Sequence, residues 1–352
     1  MTTIAVVGAG INGLCTAFHL SRQGARVVLV DQFEAGHARG SSHGEERITR
    51  SSYEDPRWVV DMQRCHAVEW PLLEAALGEM LVYRGGDAVF FGPEAGPFAA
   101  YARAVAEVGA PVDEIDAAEA RKRFPAFTFA GSARVLHDRS AGVLAAGATM
   151  RGLCRWLERA GVELRRPFVV DHIESRADGV EIAGPERLSA DFAVVAAGPW
   201  ARRLAPGLAV RPARQHVGYW QLPAAKAGHF PAWVHLGLGE LHYGLPTIEG
   251  GAMKAAFHDH GAGPGDDPGE DGPPSGDAID AVESRLCEWF TGGPGPLLRR
   301  ETCFYTNAEG DRFLAGWTGE RVYSLSACSG HAFKLAPLTG RRAAEAVWLR
   351  AR

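Results

Sequence analysis

Residues 3–31 read TIAVVGAGINGLCTAFHLSRQGARVVLVD, and this stretch decides the fold of the chain. The apolar, β-branched runs at Ile4–Val7 and Val27–Val30 are typical of buried parallel strands. Between them, a glycine turn is followed by a segment with helical spacing. A strand, a glycine turn, a helix and a second strand in this order predict the first unit of a doubly wound α/β sheet.

The turn supplies Gly8, Gly10 and Gly13 at G-x-G-x-x-G spacing. The first glycine allows the tight turn, the second lets a pyrophosphate approach the backbone, and the third lets the helix pack on the strand. Asp31 ends the second strand about 20 residues later, where a carboxylate hydrogen-bonds ribose hydroxyls. These features predict a dinucleotide site at the helix N-terminus. The alternative is a glycine turn that only joins a strand to a helix.

Composition narrows the class of protein. A chain of 352 residues can bury a large core in two lobes, and a net charge of −5 with no basic run argues against nucleic acid as a partner. The six cysteines show no C-x-x-C pair and no metal-ligand spacing with histidine, which predicts a reducing compartment and no metal site. The first strand leaves no room for a signal peptide, and no apolar run reaches the ~20 residues of a membrane span. We therefore expect a cytoplasmic protein with no membrane partner.

Residues 37–53 (HARGSSHGEERITRSSY) are rich in glycine, serine and histidine, which predicts a loop leading into a short helix. Arg39, Arg47 and Arg50 lie in this segment, next in sequence to the phosphate-binding turn. They indicate contact with an anionic cofactor or substrate. For Arg39, a solvated basic loop is an equally good interpretation.

Helical and strand patterns alternate along the rest of the chain. Helices are predicted at 57–78 with a break at Pro71, at 99–109, at 116–123 after Asp116, at 146–160, at 277–290, and at the C-terminus with Pro337 near the first turn. Strands are predicted in 162–184, at Phe192–Ala196, at 300–307 and at 311–317. Because Phe192–Ala196 repeats the motif of a buried strand followed by small residues, the dinucleotide domain is expected to be discontinuous.

Residues 209–258 alternate aromatic and polar side chains, which predicts an antiparallel sheet and a second lobe. Residues 261–277 (GAGPGDDPGEDGPPSGD) contain almost nothing that could be buried, so a long surface loop is predicted. Two interpretations remain for this loop: a mobile excursion, which the composition favours, or an entrance lid.

Several motifs together resemble the monomeric sarcosine oxidase family, within the D-amino-acid oxidase fold group. They are GAGINGL at 8–14, GSSHGEERITR at 40–50, VVAAGPW at 194–200, LHYGLP at 241–246, MKAAFH at 253–258, TCFYTN at 302–307 and CSGHAFK at 328–334. The resemblance implies FAD rather than NAD, and a monomer. It implies an α/β fold with a discontinuous Rossmann-like FAD-binding domain and a second, mixed or antiparallel β-sheet substrate domain. We expect residues 1–80, 140–205 and 310–352 in the first domain, and 81–139 and 206–309 in the second.

The resemblance also assigns the cofactor contacts. Cys303 would carry FAD covalently, although a lone cysteine in a strand is more often a small buried hydrophobe. The ADP half would be held by Gly8, Gly10, Gly13 and Asp31, and Val170, on a predicted FVV strand, would meet the adenine. The remaining cofactor-binding residues are Arg39, Ser41, Ser42, His43, Gly198, Trp200, and the segment from Gly330 to Lys334.

Members of this family oxidise N-methylated or cyclic secondary amino acids to imines and pass the electrons to O₂, which gives hydrogen peroxide. The resemblance places Arg50 and Lys334 at the substrate carboxylate and Lys254 at the site of oxygen activation. The other expected active-site residues are Arg47, His258, Tyr305, Tyr243 and His331. Without the resemblance, Arg50 and Lys334 are also compatible with unrelated surface cations, and His258 with a satisfied core histidine.

The sequence departs from the family at Ala332, where glycine is usual, and on the substrate lobe at Trp220, Val234 and His235. Because of these substitutions, three kinds of amine substrate remain possible: N-methyl amino acids, proline-like or pipecolate-like rings, and a biosynthetic intermediate. Two further hypotheses remain. One is a tailoring dehydrogenase or oxidase of a cyclic amine or imine on the same fold. The other is a non-catalytic flavin-binding protein.

Overall fold

The structure is a computed structural model that describes residues 1–83, 87–222, 230–258, 267–270, 272–326 and 329–352. Parts of the loop predicted at 261–277, namely 261–266 and 271, lie outside the described residues, as does Cys328 of the CSGHAFK motif. Within the described ranges, no helix has both the length and the apolar character needed to cross a bilayer.

The helices are α1 (Ile11–Arg22), α2 (Pro56–Arg64), α3 (Trp70–Leu77), α4 (Phe98–Val108), α5 (Ala117–Arg123), α6 (Ala146–Arg159), α7 (Ala201–Leu204), α8 (Gly276–Trp289) and α9 (Ala332–Arg350). A π-helical turn at Cys65–Glu69 joins α2 to α3, and short 3₁₀ turns lie at Gly198–Trp200 and Glu309–Asp311.

The strands are β1 (Thr3–Val7), β2 (Arg26–Val30), β3 (Glu46–Thr49), β4 (Val82–Tyr83), β5 (Ala88–Phe91), β6 (Val112–Asp116), β7 (Arg134–Asp138), β8 (Gly142–Ala145), β9 (Glu163–Arg165), β10 (His172–Ser175), β11 (Val180–Ala183), β12 (Leu188–Ala190), β13 (Phe192–Val195), β14 (Val210–Gln221), β15 (Ala232–Leu236), β16 (Leu241–Pro246), β17 (Ala252–Phe257), β18 (Leu297–Ala308), β19 (Ala315–Trp317) and β20 (Val322–Leu325).

A six-stranded sheet in the order β19-β20-β13-β1-β2-β9 forms the first layer, with β19 antiparallel and the others parallel. Helices α1, α6 and α9 contribute to the core on one face. The small sheet β10-β11-β12 packs on the other face. Because β1, β2 and β13 are adjacent and parallel, their carboxyl ends meet at one edge, which is where doubly wound folds bind nucleotides. The Rossmann-like prediction is confirmed.

An eight-stranded sheet in the order β18-β14-β17-β16-β15-β5-β7-β6 forms the second layer. Its pairs are antiparallel except β5 with β15. Helices α5 and α8 bury their apolar sides on one face of this sheet. The mixed or antiparallel second sheet expected from the sequence is therefore confirmed. The residue bounds of the two domains remain a prediction.

The loop and short helix predicted for residues 37–53 are wrong in part, because Glu46–Thr49 is a strand. Its backbone pairs with β8, so that Glu46 lies opposite Ala145 and Thr49 opposite Gly142. This pairing joins segments almost a hundred residues apart, and local composition carries no signal for such a partner. The strand matters because Arg47 lies on it and Arg50 directly follows it, so its position decides where both arginine side chains lie.

Three smaller predictions also change. Residues 168–170 are not a strand but part of the connection between β9 and β10. Pro337 lies inside α9, beyond its first turn. The break expected at Pro71 is instead a π turn just before α3, whose wider turn accommodates the missing proline N–H. Asp116 caps α5 as predicted, with its carboxylate accepting the Glu119 N–H at 2.7 Å.

Candidate active site

The glycine turn after β1 admits no side chain at two of its three glycines. Gly8 has a φ of +107°, and a Cβ there would lie 2.4 Å from the Ala196 carbonyl oxygen. A Cβ on Gly13 would lie 1.8 Å from the Gly8 carbonyl oxygen. The turn is thus packed backbone to backbone, which leaves the N-terminus of α1 open toward a phosphate.

Asp31 stabilises this turn from the end of β2. One of its carboxylate oxygens accepts the Ala9 N–H at 2.6 Å and the other accepts the Phe33 N–H at 2.8 Å. A carboxylate has about four acceptor sites in all, so capacity remains for ribose hydroxyls. Ser42 contributes from the other side, because its Oγ accepts the Ile11 N–H at 3.1 Å.

A cavity of about 490 Å³, the nucleotide cavity, opens above this turn. Its lining contains most of the residues predicted to bind the cofactor: Gly8, Gly10, Asp31, Ser41, Ser42, His43, Val170, Gly198 and Trp200. Arg39 is exposed and lies in a separate groove beside Arg214, with its guanidinium carbon 5.5 Å from the Phe33 ring centroid. The glycine turn, the acid and the open helix end fit the ADP half of FAD.

A second, smaller cavity of about 90 Å³, the reaction cavity, adjoins the first. The two share lining residues, including Ile11, Ser42 and Ala332. The reaction cavity is lined by residues predicted to be catalytic or to contact the flavin: Ser41, Arg47, Arg50, Tyr243, Lys254, His258, Cys303, Tyr305, Gly330, His331 and Lys334. A cofactor bound in the nucleotide cavity can therefore extend its ring into a space lined by these groups.

Arg50 forms one end of the reaction cavity. It is 4% exposed and lies against aromatic rings, with its guanidinium carbon 4.3 Å from the Tyr53 centroid and 5.9 Å from that of Tyr101. Among the residues that the structure describes, its buried Nη1 has no hydrogen-bond partner. A buried charged donor left in this way is costly, so the site is complementary to an anion.

Lys334 lies near Arg50, in the first turn of α9. Its Nζ is 6.0 Å from the same Tyr53 ring, and its carbonyl accepts the Trp70 Nε1–H at 2.9 Å. Two buried cations thus lie within 6.0 Å of one tyrosine ring and line the same cavity. This arrangement suits a carboxylate held between them.

Lys254 lies toward the other end of the reaction cavity. It is opposite Tyr219 in the β14–β17 ladder, with its Nζ 5.6 Å from the tyrosine ring. Burial first, and then the nearby Arg47 charge, lower the pKa of Lys254 to about 8. Arg47 is itself held by three carbonyls, since its Nη1 donates to Glu46 at 2.8 Å and its Nη2 donates to Ser41 at 2.9 Å and to His43 at 2.6 Å.

Between the two ends, the hydroxyl of Tyr305 lies 3.2 Å from His258 Nδ1 and 3.5 Å from the Tyr243 hydroxyl. Burial raises the pKa of Tyr243 to about 12, so this phenol stays neutral near pH 7. A Cβ on Gly330 would lie 2.7 Å from the Tyr305 ring and 2.9 Å from the His258 ring. Only glycine allows this close approach of the loop before α9.

Cys303 lies on β18 and lines the reaction cavity. The segment that carries Ser41 and His43 is pinned to β18 on both sides of it. His43 Nε2 donates to the Thr302 carbonyl at 2.9 Å, and the Ser41 hydroxyl donates to the Phe304 carbonyl. Cys303 therefore lies between two anchoring points of the segment whose Ser41 lines both cavities.

The three substrate-lobe residues that depart from the family pattern lie on different faces of the second sheet. Val234 lines the reaction cavity. His235 points to the other face of the sheet and stacks on Trp289, with centroids 4.1 Å apart. Trp220 is buried on that face too, and its Nε1 donates to Glu283 at 3.0 Å. Of these three substitutions, the structure therefore places only Val234 where it can contact a substrate.

Several residues that line the reaction cavity or support its side chains were not predicted from the sequence. Glu46 lines the reaction cavity, and Tyr53 and Tyr101 enclose Arg50. A signal for Glu46 was present, because Glu46, Ile48 and Arg50 alternate along β3 and so share one face. No local signal links Tyr101 to Arg50, since they meet only through tertiary packing.

Residues 3–346 match the model of the DAO family, described as FAD dependent oxidoreductase. N-methyl-L-tryptophan oxidases of Yersinia pestis and Yersinia pseudotuberculosis are 30% identical to this chain over 348 residues, covering 96% of it and 93% of their own length. The structure of NikD, described as an unusual amino acid oxidase essential for nikkomycin biosynthesis, has a TM-score of 0.84 at 21% identity and covers 99% of this chain and 94% of its own. Glycine oxidase from Geobacillus kaustophilus has a TM-score of 0.82 at 18% identity, covering 99% and 95%. These structures share the fold.

Proposed function

Because the chain belongs to the DAO family of FAD-dependent oxidoreductases and is a flavin-dependent amine oxidase, we propose that it oxidises a secondary amino acid, either N-methylated or cyclic. The observation that carries the proposal is the buried, unpartnered Nη1 of Arg50 in the reaction cavity, with Lys334 beside it. The name of the Yersinia relatives, which specifies an N-methylated amino acid, supports a secondary amine.

When bound, FAD would supply the acceptor for a hydride from the carbon next to the amine nitrogen, and O₂ would then take up the two electrons, with two protons, as hydrogen peroxide. Loss of the N–H proton leaves an imine, which water hydrolyses. The protein contributes mainly orientation. Arg50 and Lys334 bind the carboxylate and so fix the direction of the reacting C–H bond.

The remaining groups act at the centre and far end of the reaction cavity. The neutral phenols of Tyr305 and Tyr243 form, together with His258, a polar wall that suits an amine entering without its extra proton. Lys254 lies where a cation stabilises the negative charge that develops on O₂. This assignment separates the carboxylate end from the oxygen end of one cavity.

We propose further that FAD is attached to Cys303. The thioether would form between the Cys303 sulfur and a flavin carbon with loss of the thiol proton and of one proton from that carbon, and the two electrons left on the flavin would pass to O₂. Lys254 is close enough to Cys303 to interact with it electrostatically, and a neighbouring cation favours the thiolate. Acid-precipitated protein should stay yellow, whereas a Cys303→Ser variant should release its flavin on denaturation.

The substrate proposal is tested by anaerobic addition of sarcosine, N-methyltryptophan, proline and pipecolate to the flavin-bound protein. Bleaching of the flavin absorbance by at least one of them, followed by peroxide release in air, is expected. No bleaching by any secondary amino acid would contradict the proposal. Bleaching with slow reoxidation in air would favour a dehydrogenase instead.

A further inference from the structure

Glu46 is a buried acid in the reaction cavity to which the proposed chemistry gives no role. It is 4% exposed and begins β3, opposite Ala145. Its Oε2 is buried and has no hydrogen-bond partner within the described part of the chain. A buried carboxylate oxygen in this position is costly unless an opposite charge faces it.

The cation that faces Glu46 within the cavity is Lys254, and the two side chains interact electrostatically. Lys254 is also surrounded by groups from three further parts of the fold. These are Arg47 and His43 in and before β3, Tyr219 on β14, and Arg299, Glu301 and Cys303 on β18. Glu46 is thus one of two carboxylates in a cluster that holds four permanent or potential cations.

The second carboxylate is already engaged. Glu301 accepts the Tyr219 hydroxyl at 2.9 Å and pairs with Arg299. A Cβ added to Gly44 would lie 3.9 Å from Lys254 Nζ and 4.0 Å from Glu301 Oε2, so Glu301 also lies near the lysine. Glu301 and Glu46 are therefore the two carboxylates that offset the repulsion between Lys254 and Arg47, and Arg299 takes part of the Glu301 charge.

We propose that Glu46 is a positioning residue whose carboxylate keeps Lys254 as an ammonium ion beside the flavin ring. The inference rests on the proposed role of Lys254 in the reaction with O₂. Without the Glu46 charge, Glu301 is the one carboxylate of the cluster that offsets the repulsion between Lys254 and Arg47, and it is shared with Tyr219 and Arg299. Lys254 then gives up its proton at lower pH, and the positive charge that O₂ reduction needs is lost.

The test follows Lys254 directly. The chain has only four lysines, at 122, 226, 254 and 334, so ¹³Cε-labelled lysine in the flavin-bound protein gives few signals, and Lys254→Met assigns the relevant one. We expect Glu46→Gln to lower the titration midpoint of Lys254 by about one pH unit. Glu46→Asp, which keeps the charge, should restore most of the shift. Glu240→Gln, at a surface pair with Arg285, is the matched control.

An unchanged midpoint in Glu46→Gln would overturn the inference. A measurement on the unsubstituted protein covers the case in which the variant does not fold. The Lys254 signal should then show a second, smaller inflection at acid pH, where Glu46 titrates, and its absence would equally overturn the inference.

A second readout is flavin reoxidation by O₂, measured after photoreduction across the pH range. Glu46→Gln should move the alkaline fall in rate to lower pH by the same amount as the signal from Lys254. If the unsubstituted protein makes no peroxide from any amine, the proposed function fails, while the resonance of Lys254 still decides the role of Glu46.

Discussion

The nucleotide cavity and the reaction cavity adjoin but are built in different ways. The first is built on one continuous stretch, in which Gly8 and Gly13 pack backbone against backbone and Asp31 holds the turn, and residues within 147–158, 166–170 and 196–204 complete most of its lining. The second collects single charged or polar side chains from β3, β17, β18 and α9. One cavity therefore depends on shape and the other on the placement of charge. Substitutions in the two should fail in different ways.

The largest effect is expected in the nucleotide cavity. Gly13→Ala places a Cβ 1.8 Å from the Gly8 carbonyl oxygen, so the turn must distort. We expect a loss of about 3 kcal/mol in the free energy of unfolding, together with loss of bound flavin. Denaturant titration and the flavin-to-protein absorbance ratio measure the two. Gly207→Ala, where a Cβ meets open space, should change neither. Full flavin content in Gly13→Ala would contradict the packing argument.

At the oxygen end of the reaction cavity, Lys254→Met should leave flavin bound and reduced by substrate as before. Its reoxidation by O₂ should slow by about 100- to 1,000-fold, because the stabilising cation is gone. In the unsubstituted protein this rate should fall as the pH rises through about 8, since burial lowers the pKa of Lys254 to that value and only the protonated form acts. Stopped-flow reoxidation across pH 6–10 checks both; a rate independent of pH would exclude this role for the lysine.

At the carboxylate end, Arg50→Ala should slow the reduction of the flavin by substrate and leave its reoxidation by O₂ nearly unchanged. The rate of anaerobic flavin reduction divided by the substrate dissociation constant should fall about 100-fold, because one charge-assisted bond to the carboxylate is lost. Reoxidation by O₂ should stay within about two-fold. Arg57→Ala, an exposed arginine paired with Asp55, is the control. Equal losses in both half-reactions would mean that the two ends of the cavity are not separate.

The smallest effect should appear on the wall of the reaction cavity. Val234→Ala enlarges it, so the ratio of kcat/KM between a bulky and a small N-methyl amino acid should rise by about 10-fold. Val89→Ala removes the same volume from the opposite face of the same sheet, where Val89 is fully buried. That control should lose stability to a similar degree and leave the ratio unchanged. A similar change in both variants would show that the wall position is unimportant.

The two cavities also differ in how far sequence predicts them. The stretch 3–31 predicted its own strands, helix and glycine turn, and the structure confirms them with shifts of one residue at most. The segment 37–53 was interpreted as a loop and a short helix, although it contains β3. The partner of β3 lies almost a hundred residues away, at β8, so its spacing alone gave no reason for a strand.

The sequence alone determined the dinucleotide fold, because its glycines, apolar runs and terminal acid act within about 30 residues of one another. The resemblance to a known family identified Arg47, Arg50, Lys254, Cys303 and Lys334 as candidate site residues. The tertiary structure decided which side chains share a cavity: Glu46 faces Lys254, Tyr101 encloses Arg50, and His235 points away. The physical reason is that a strand's side chains alternate between two faces, and which face borders a cavity depends on packing between distant segments.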